Sequence, residues 1–124
     1  MNLKRIAKDI HKNAIEKGFW DKENVAEKLM LIVSELSEAM EADRKNKFMA
    51  SNAWSNMDAY NNSSNNSWMT AFEANIKDTF EDELADTFIR LLDLAERKGV
   101  DLEKHVQAKH KYNKLRPFMH GKKY

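Results

Sequence analysis

Two pairs of carboxylates mark where this 124-residue chain has the residue types for chemistry: Glu35 with Glu38, and Glu83 with Asp86, each spaced i, i+3. At 3.6 residues per turn, the members of such a pair lie one turn apart on the same side of a helix. Two pairs on neighbouring helices would gather four carboxylates, enough to hold one or more divalent cations. Magnesium suits such a set, because it takes oxygen donors, keeps several waters and is usually completed by substrate phosphates. The plainer alternative is a solvated acidic surface. Glu38/Glu41, Asp78/Glu81 and Asp93/Glu96 have the same spacing, so a pair alone says little. Like charges one turn apart destabilise a helix by about a few tenths of a kcal/mol each. Their density in TFEDELAD, beside an apolar stripe, therefore calls for a counterion. A di-iron bundle would need Glu-x-x-His, and no Glu here has His three places on.

The elements that must position these carboxylates read as helices. Leu3, Ile6, Ala7, Ile10, Ala14 and Ile15 recur at steps of three and four, and Gly18 can close that helix. Phe19 and Trp20 form an aromatic corner, and Asp21 is the expected cap of a second helix running to about Lys45. Leu29, Ile32, Val33, Leu36, Ala39 and Met40 form its core stripe, with Glu35 at one edge and Glu38 beside it. A third helix is predicted over Phe72–Lys98, with Ile76, Phe80, Leu84, Phe88, Leu91, Leu92 and Ala95 as its stripe and Gly99 as its stop. A fourth, capped by Asp101, ends before Arg116-Pro117, where Pro disfavours α geometry in the residue preceding it.

Between helices 2 and 3, residues 47–71 change character, with six Asn and five Ser from Ser51 to Ser67. Asn and Ser side chains compete for backbone hydrogen bonds, so a loop with at most short helices is expected. Phe48, Trp54, Tyr60 and Trp68 argue that it docks on the body, with a flexible tip over 61–66. The expectation is an all-α, single-domain helical bundle of four main helices over 1–124, with this insertion and a basic C-terminal tail over 116–124.

Composition narrows the function classes. The absence of Cys excludes disulfides, thiolate zinc sites and a cysteine nucleophile. Charges interrupt every apolar run of the N-terminal stretch, so no secretory or membrane segment is expected and a cytoplasmic location is the default. The net charge of +1 hides an asymmetry: no acidic residue follows Glu103, whereas seven of the 21 Lys and Arg do. The other 14 basic residues face 20 acidic ones, leaving the first 103 positions at −6, which disfavours nucleic-acid binding.

Three stretches taken together, SELSEA around Glu35 and Glu38, EDELADTFIRLL around Glu83 and Asp86, and the terminal KHKYNKLRPFMHGKKY, resemble the MazG-like members of the all-α nucleoside triphosphate pyrophosphohydrolases. The resemblance covers both long helices, the fourth helix and the tail. It implies Mg2+, with Mn2+ as a possible substitute, held by Glu35, Glu38, Glu83 and Asp86. It further implies a nucleoside triphosphate substrate near Lys109, Asn113 and Arg116, hydrolysed to the monophosphate and pyrophosphate, and a homodimer or homotetramer. One of these carboxylates would also serve as general base, with Glu38 the candidate although sequence leaves the choice open; Trp20 is the candidate to stack on a base, though a tryptophan in a small helical protein is more often core. The chain departs from the family at Ser34, where members often carry a further Glu, and in the length of the 47–71 insertion. The rival reading is a non-enzymatic helical module whose acidic faces and basic tail serve oligomerisation or a protein partner.

Overall fold

The computed structural model describes residues 2–124 and has six α-helices and no strand among them: α1 (Leu3–Glu16), α2 (Val25–Arg44), α3 (Ala53–Asp58), α4 (Asn65–Asn75), α5 (Phe80–Arg97) and α6 (Leu102–Lys114). None of them is long and apolar enough to cross a membrane. Two compact units divide the chain, Met1–Glu23 with Leu91–Tyr124, and Asn24–Arg90, so the boundary falls within α5.

In the first unit, Asn2 caps α1 by accepting from the Arg5 N–H, and the chain leaves the helix through Gly18 at φ +85°. A Cβ in that left-handed conformation would be strained, which is why glycine serves there. Leu92, only 1% exposed, is the most buried large side chain, and Ala7, Trp20, Leu94 and Ala95 are buried in the same unit. Asp101 caps α6 as expected, its Oδ1 accepting from the Lys104 N–H at 3.1 Å. Yet α6 buries no residue of its own.

In the second unit, α2 begins three residues later than Asp21 predicts, because Asn24 is the cap and accepts from the Glu27 N–H at 3.0 Å. The stretch expected to be mostly loop forms the best-defined core. Met57, Ala71 and Ile76 cluster there with Met49 and Phe72, and Ala53 is fully buried. Ser64 caps α4 by accepting from the Ser67 N–H, so the Asn/Ser-rich run supplies a helix start within the predicted flexible tip. Trp68 stacks on Phe72 with centroids 5.4 Å apart, and Phe48 meets Phe80 at 5.3 Å.

The predicted third helix is two helices. α4 ends at Asn75, Asp78 adopts φ +63°, and α5 starts at Phe80. Thr79 makes the new start: its carbonyl accepts the Glu83 N–H and its Oγ1 accepts the Asp82 N–H. Asp82 returns the favour to the preceding turn, accepting from the Asp78 N–H at 2.9 Å. This is a variant of the capping box, readable in the sequence as T-F-E-D ahead of an apolar run. Four main helices thus become six, in an all-α fold.

Candidate metal centre

The helix start reinterprets part of the acid density in TFEDELAD. Glu81 accepts the Met49 N–H at 3.0 Å and Asp82 that of Asp78, and both sit in a first turn where the helix dipole favours negative charge. Glu83 is different. It shares that first turn, but it is 6% exposed and its carboxylate lies close to those of Glu35 and Glu38 on α2.

One carboxylate oxygen each from Glu35, Glu38 and Glu83 lie within 4.8 Å of one another. Glu35 is 7% exposed, whereas Glu38 opens to solvent. Asp86, partly buried one turn beyond Glu83, stands outside this group of three. Ser34, before the first ligand candidate, donates to the Leu31 carbonyl at 2.6 Å.

Arg90, which the sequence reading passed over, belongs to the same place. Its Nε donates to Glu35 Oε1 at 2.7 Å, with the Glu35 side chain 9% exposed. The signal was available, since positions 83, 86 and 90 share one face at helical spacing.

The electrostatics follow from this crowding. Burial pushes the Glu83 carboxyl up to about 7, with the charges of Glu38, Glu35 and Asp86 adding to it. Glu38 is raised by its hydrogen bond with Glu35 and by that group's charge. Asp86 is raised by burial, then by Asp82 and Glu35. Glu35 moves the other way: burial opposes its ionisation, but Arg90 and the hydrogen bonds from Glu38 and Glu83 outweigh it and hold the carboxyl below its ordinary value. The arrangement concentrates more negative charge than its own residues neutralise.

A divalent ion fits this donor set. All donors are hard carboxylate oxygens, the ligand type that Mg2+ takes, and one oxygen from each residue lies within 4.8 Å of the others.

The residues expected to meet the nucleotide belong to the first unit. On α6, the Lys109 ammonium lies 4.8 Å from the Tyr112 ring centroid. The Arg116 guanidinium lies 5.4 Å from the same ring and donates to the His120 carbonyl at 3.1 Å. Asn113 is partly buried. Trp20 is 7% exposed, gives its indole N–H to Asp93 and has the Arg97 guanidinium 4.9 Å from its ring centroid, the surroundings of a core tryptophan. No protein-family model matches the chain, and no curated protein or solved structure matches it.

Proposed function

We propose that the chain is a magnesium-dependent nucleoside triphosphate pyrophosphohydrolase of the MazG-like kind, acting on a standard or modified (deoxy)nucleotide. The observation that carries this reading is the meeting of Glu35, Glu38 and Glu83, from two helices and 48 positions apart at the extremes, within 4.8 Å. Glu35 and Glu83 are buried there, and burying carboxylates together is costly without a cation to compensate. The motif order around these residues and the basic stretch after Glu103 support the same reading.

Glu35, Glu38 and Glu83 would hold the ion, with Asp86 completing the set from the next turn of α5. When bound, Mg2+ supplies Lewis-acid neutralisation of phosphoryl charge and makes water more acidic. Glu38 is the open member of the cluster and its affinity for a proton is raised, so its carboxylate accepts the proton of the attacking water. Lys109 and Arg116 carry fixed positive charge suited to phosphate oxygens. The reaction breaks one phosphoanhydride bond, releasing pyrophosphate and the nucleoside monophosphate.

The test is pyrophosphate release from a panel of nucleoside triphosphates, with and without Mg2+, for the native protein, Glu38→Gln and Asp86→Asn. Magnesium-dependent release that both substitutions abolish is expected. Silence across the panel from a folded protein that also binds no Mg2+ would overturn the reading.

A specific observation favours assembly alongside it. Leu29, Val33, Leu36 and Met40 of α2 are 47–50% exposed, as are Leu84 and Phe88 of α5 at 45% and 43%. A second copy of the chain covering these rows fits the homodimer or homotetramer expected of the family. A non-enzymatic helical module would use the same rows, but it would tolerate loss of any single carboxylate.

A further inference from the structure

We infer that the first unit carries a binding site of its own, apart from the carboxylate cluster, in the cavity shared by α1, the end of α5 and the start of α6. Its ligand is a free α-amino acid with an aliphatic or aromatic side chain.

The cavity exists because α6 covers its neighbours loosely. α6 meets α1 but buries no residue of its own. In the bend before it, nothing lies within 4 Å of where a Cβ on Gly99 would stand. The space left measures about 210 Å³ and is lined wholly by residues of the first unit. Its apolar lining comes from the buried Leu92, Ala7 and Ala95, together with Leu3, Val100 and Leu102. An apolar cavity of about 150 Å³ already admits a benzene ring, so a branched aliphatic or single aromatic group fits here. A nucleotide does not, since pockets for ligands of that size run to roughly 300–1,000 Å³.

The charged residues around this cavity select the rest of the ligand. Lys4 and Asp101 already pair with each other, at 3.6 Å. Lys8, Glu96 and Glu103 line the same cavity, and no described residue pairs with their side-chain charges. Glu96 and Glu103 are half-buried, so part of their hydration is lost without a cation in exchange. An α-amino acid supplies every complement at once: an ammonium for the two carboxylates, a carboxylate for Lys8 and an apolar side chain for the interior. A fatty acid would leave Glu96 and Glu103 unmatched, and an alkylamine would leave Lys8 unmatched. Neither Mg2+ nor a nucleotide enters this site, so it stands or falls separately from the metal-dependent reading.

Titration of the 15N-labelled full chain with L-leucine and with L-phenylalanine, followed by amide chemical shifts, tests the site directly. Saturable shifts at Ala7, Leu92, Ala95, Gly99 and Val100 are expected, with a dissociation constant on the order of 1 mM or tighter. 3-Methylbutylamine and 4-methylpentanoate, which are leucine without its carboxylate and without its amine, should each bind about tenfold more weakly. Lys8→Gln should weaken leucine binding by about the same factor and leave the amine unaffected, whereas Glu96→Gln with Glu103→Gln should weaken both. Ala95→Leu, which fills the cavity, should abolish the shifts with helicity unchanged by circular dichroism. Should that variant fail to fold, the half-buried and exposed positions 8, 96 and 103 still decide. Absence of saturable shifts up to roughly 10 mM of either amino acid would overturn the inference. So would equal binding of leucine and its two truncated forms, or native affinity retained in the Lys8 and Glu96/Glu103 variants.

Discussion

The indole N–H of Trp20 is shared between both oxygens of the Asp93 carboxylate, each 3.0 Å away, and His11 Nδ1 reaches the same carboxylate at 2.7 Å. One side chain on α5 thus ties down α1 and the aromatic corner after it. The His11 and Trp20 rings meet edge to face at 5.6 Å, and Arg97 bonds Glu23 while covering the indole. With His11 and Asp93 each 14% exposed, water offers a poor substitute for this acceptor. Asp93→Ala strands two largely buried donors at about 1–3 kcal/mol each, so urea denaturation should show a loss of roughly 2–6 kcal/mol. Asp93→Asn, which keeps one acceptor, should lose less. An Asp93→Ala protein as stable as native would show that the network holds nothing.

A pH dependence follows from Glu83. Its folded value, about 7, exceeds the ordinary 4.5, so the folded chain binds this proton more tightly than the unfolded chain does. The contribution is fully present below 4.5 and is lost as pH rises through about 7. Glu38 and Asp86 are also raised and act with the same sign. Glu35 is lowered, so its contribution is present above 4.5 and is lost only as pH falls further into the acid range. In EDTA, the melting temperature should therefore fall between pH 5 and pH 8. Glu83→Gln should flatten that slope, and millimolar Mg2+ should raise the pH 8 value more than the pH 5 value, because the ion binds the ionised carboxylates. A metal-free melting temperature that climbs over this range would contradict the assignment.

The start of α5 sets the direction in which Glu83 points, so its cap is testable apart from the metal. Thr79 is 7% exposed, and its hydroxyl donates to the Ile76 carbonyl at 2.7 Å while accepting the Asp82 N–H. Removing an N-cap hydroxyl costs about 1 kcal/mol, which at this chain length lowers the melting temperature by roughly 4 °C. Thr79→Ala should show that fall and Thr79→Ser should largely restore it. Equal melting temperatures for all three proteins would mean that the break before α5 is held by packing rather than by the cap.

Helical period made α1, α2, α5 and α6 legible, along with the stops at Gly18 and Gly99 and the cap at Asp101, because each depends on residues close in sequence. Glu35 and Glu83 at the edges of apolar stripes were legible for the same reason. The α4–α5 break was missed because Phe72 to Ala95 keeps one apolar period across it, so the pattern masked the Thr79 cap. The Asn-rich run misled in the opposite direction: its propensity argues for loop, but Ala53, Met57 and Ala71 bury inside and Ser64 serves as a cap. Sequence gives Arg90 no role and groups Asp93 only with the plain acidic pairs, because an ion pair or a buried carboxylate is defined by its partner, here 55 and 82 positions away.

The stripe of α2 was read from sequence as core, yet only Ala39 of its six members is buried, while Leu29, Val33, Leu36 and Met40 stay about half exposed. Period identifies an apolar face but not what covers it. Positions 29, 33, 36 and 40 follow one another along a single side of the helix, and such rows on soluble proteins commonly mark interaction surfaces. Six such side chains, counting Leu84 and Phe88, expose roughly 500 Å² of apolar surface, a substantial part of the about 800 Å² per partner in a standard interface. Light scattering after size exclusion should therefore give a mass of at least twice the 14.5 kDa chain. Leu36→Glu places a charge in the middle of the row without touching a buried residue, so it should yield monomer with native helicity. A native protein that runs as monomer at tens of micromolar would mean that the row is covered by something other than a second copy.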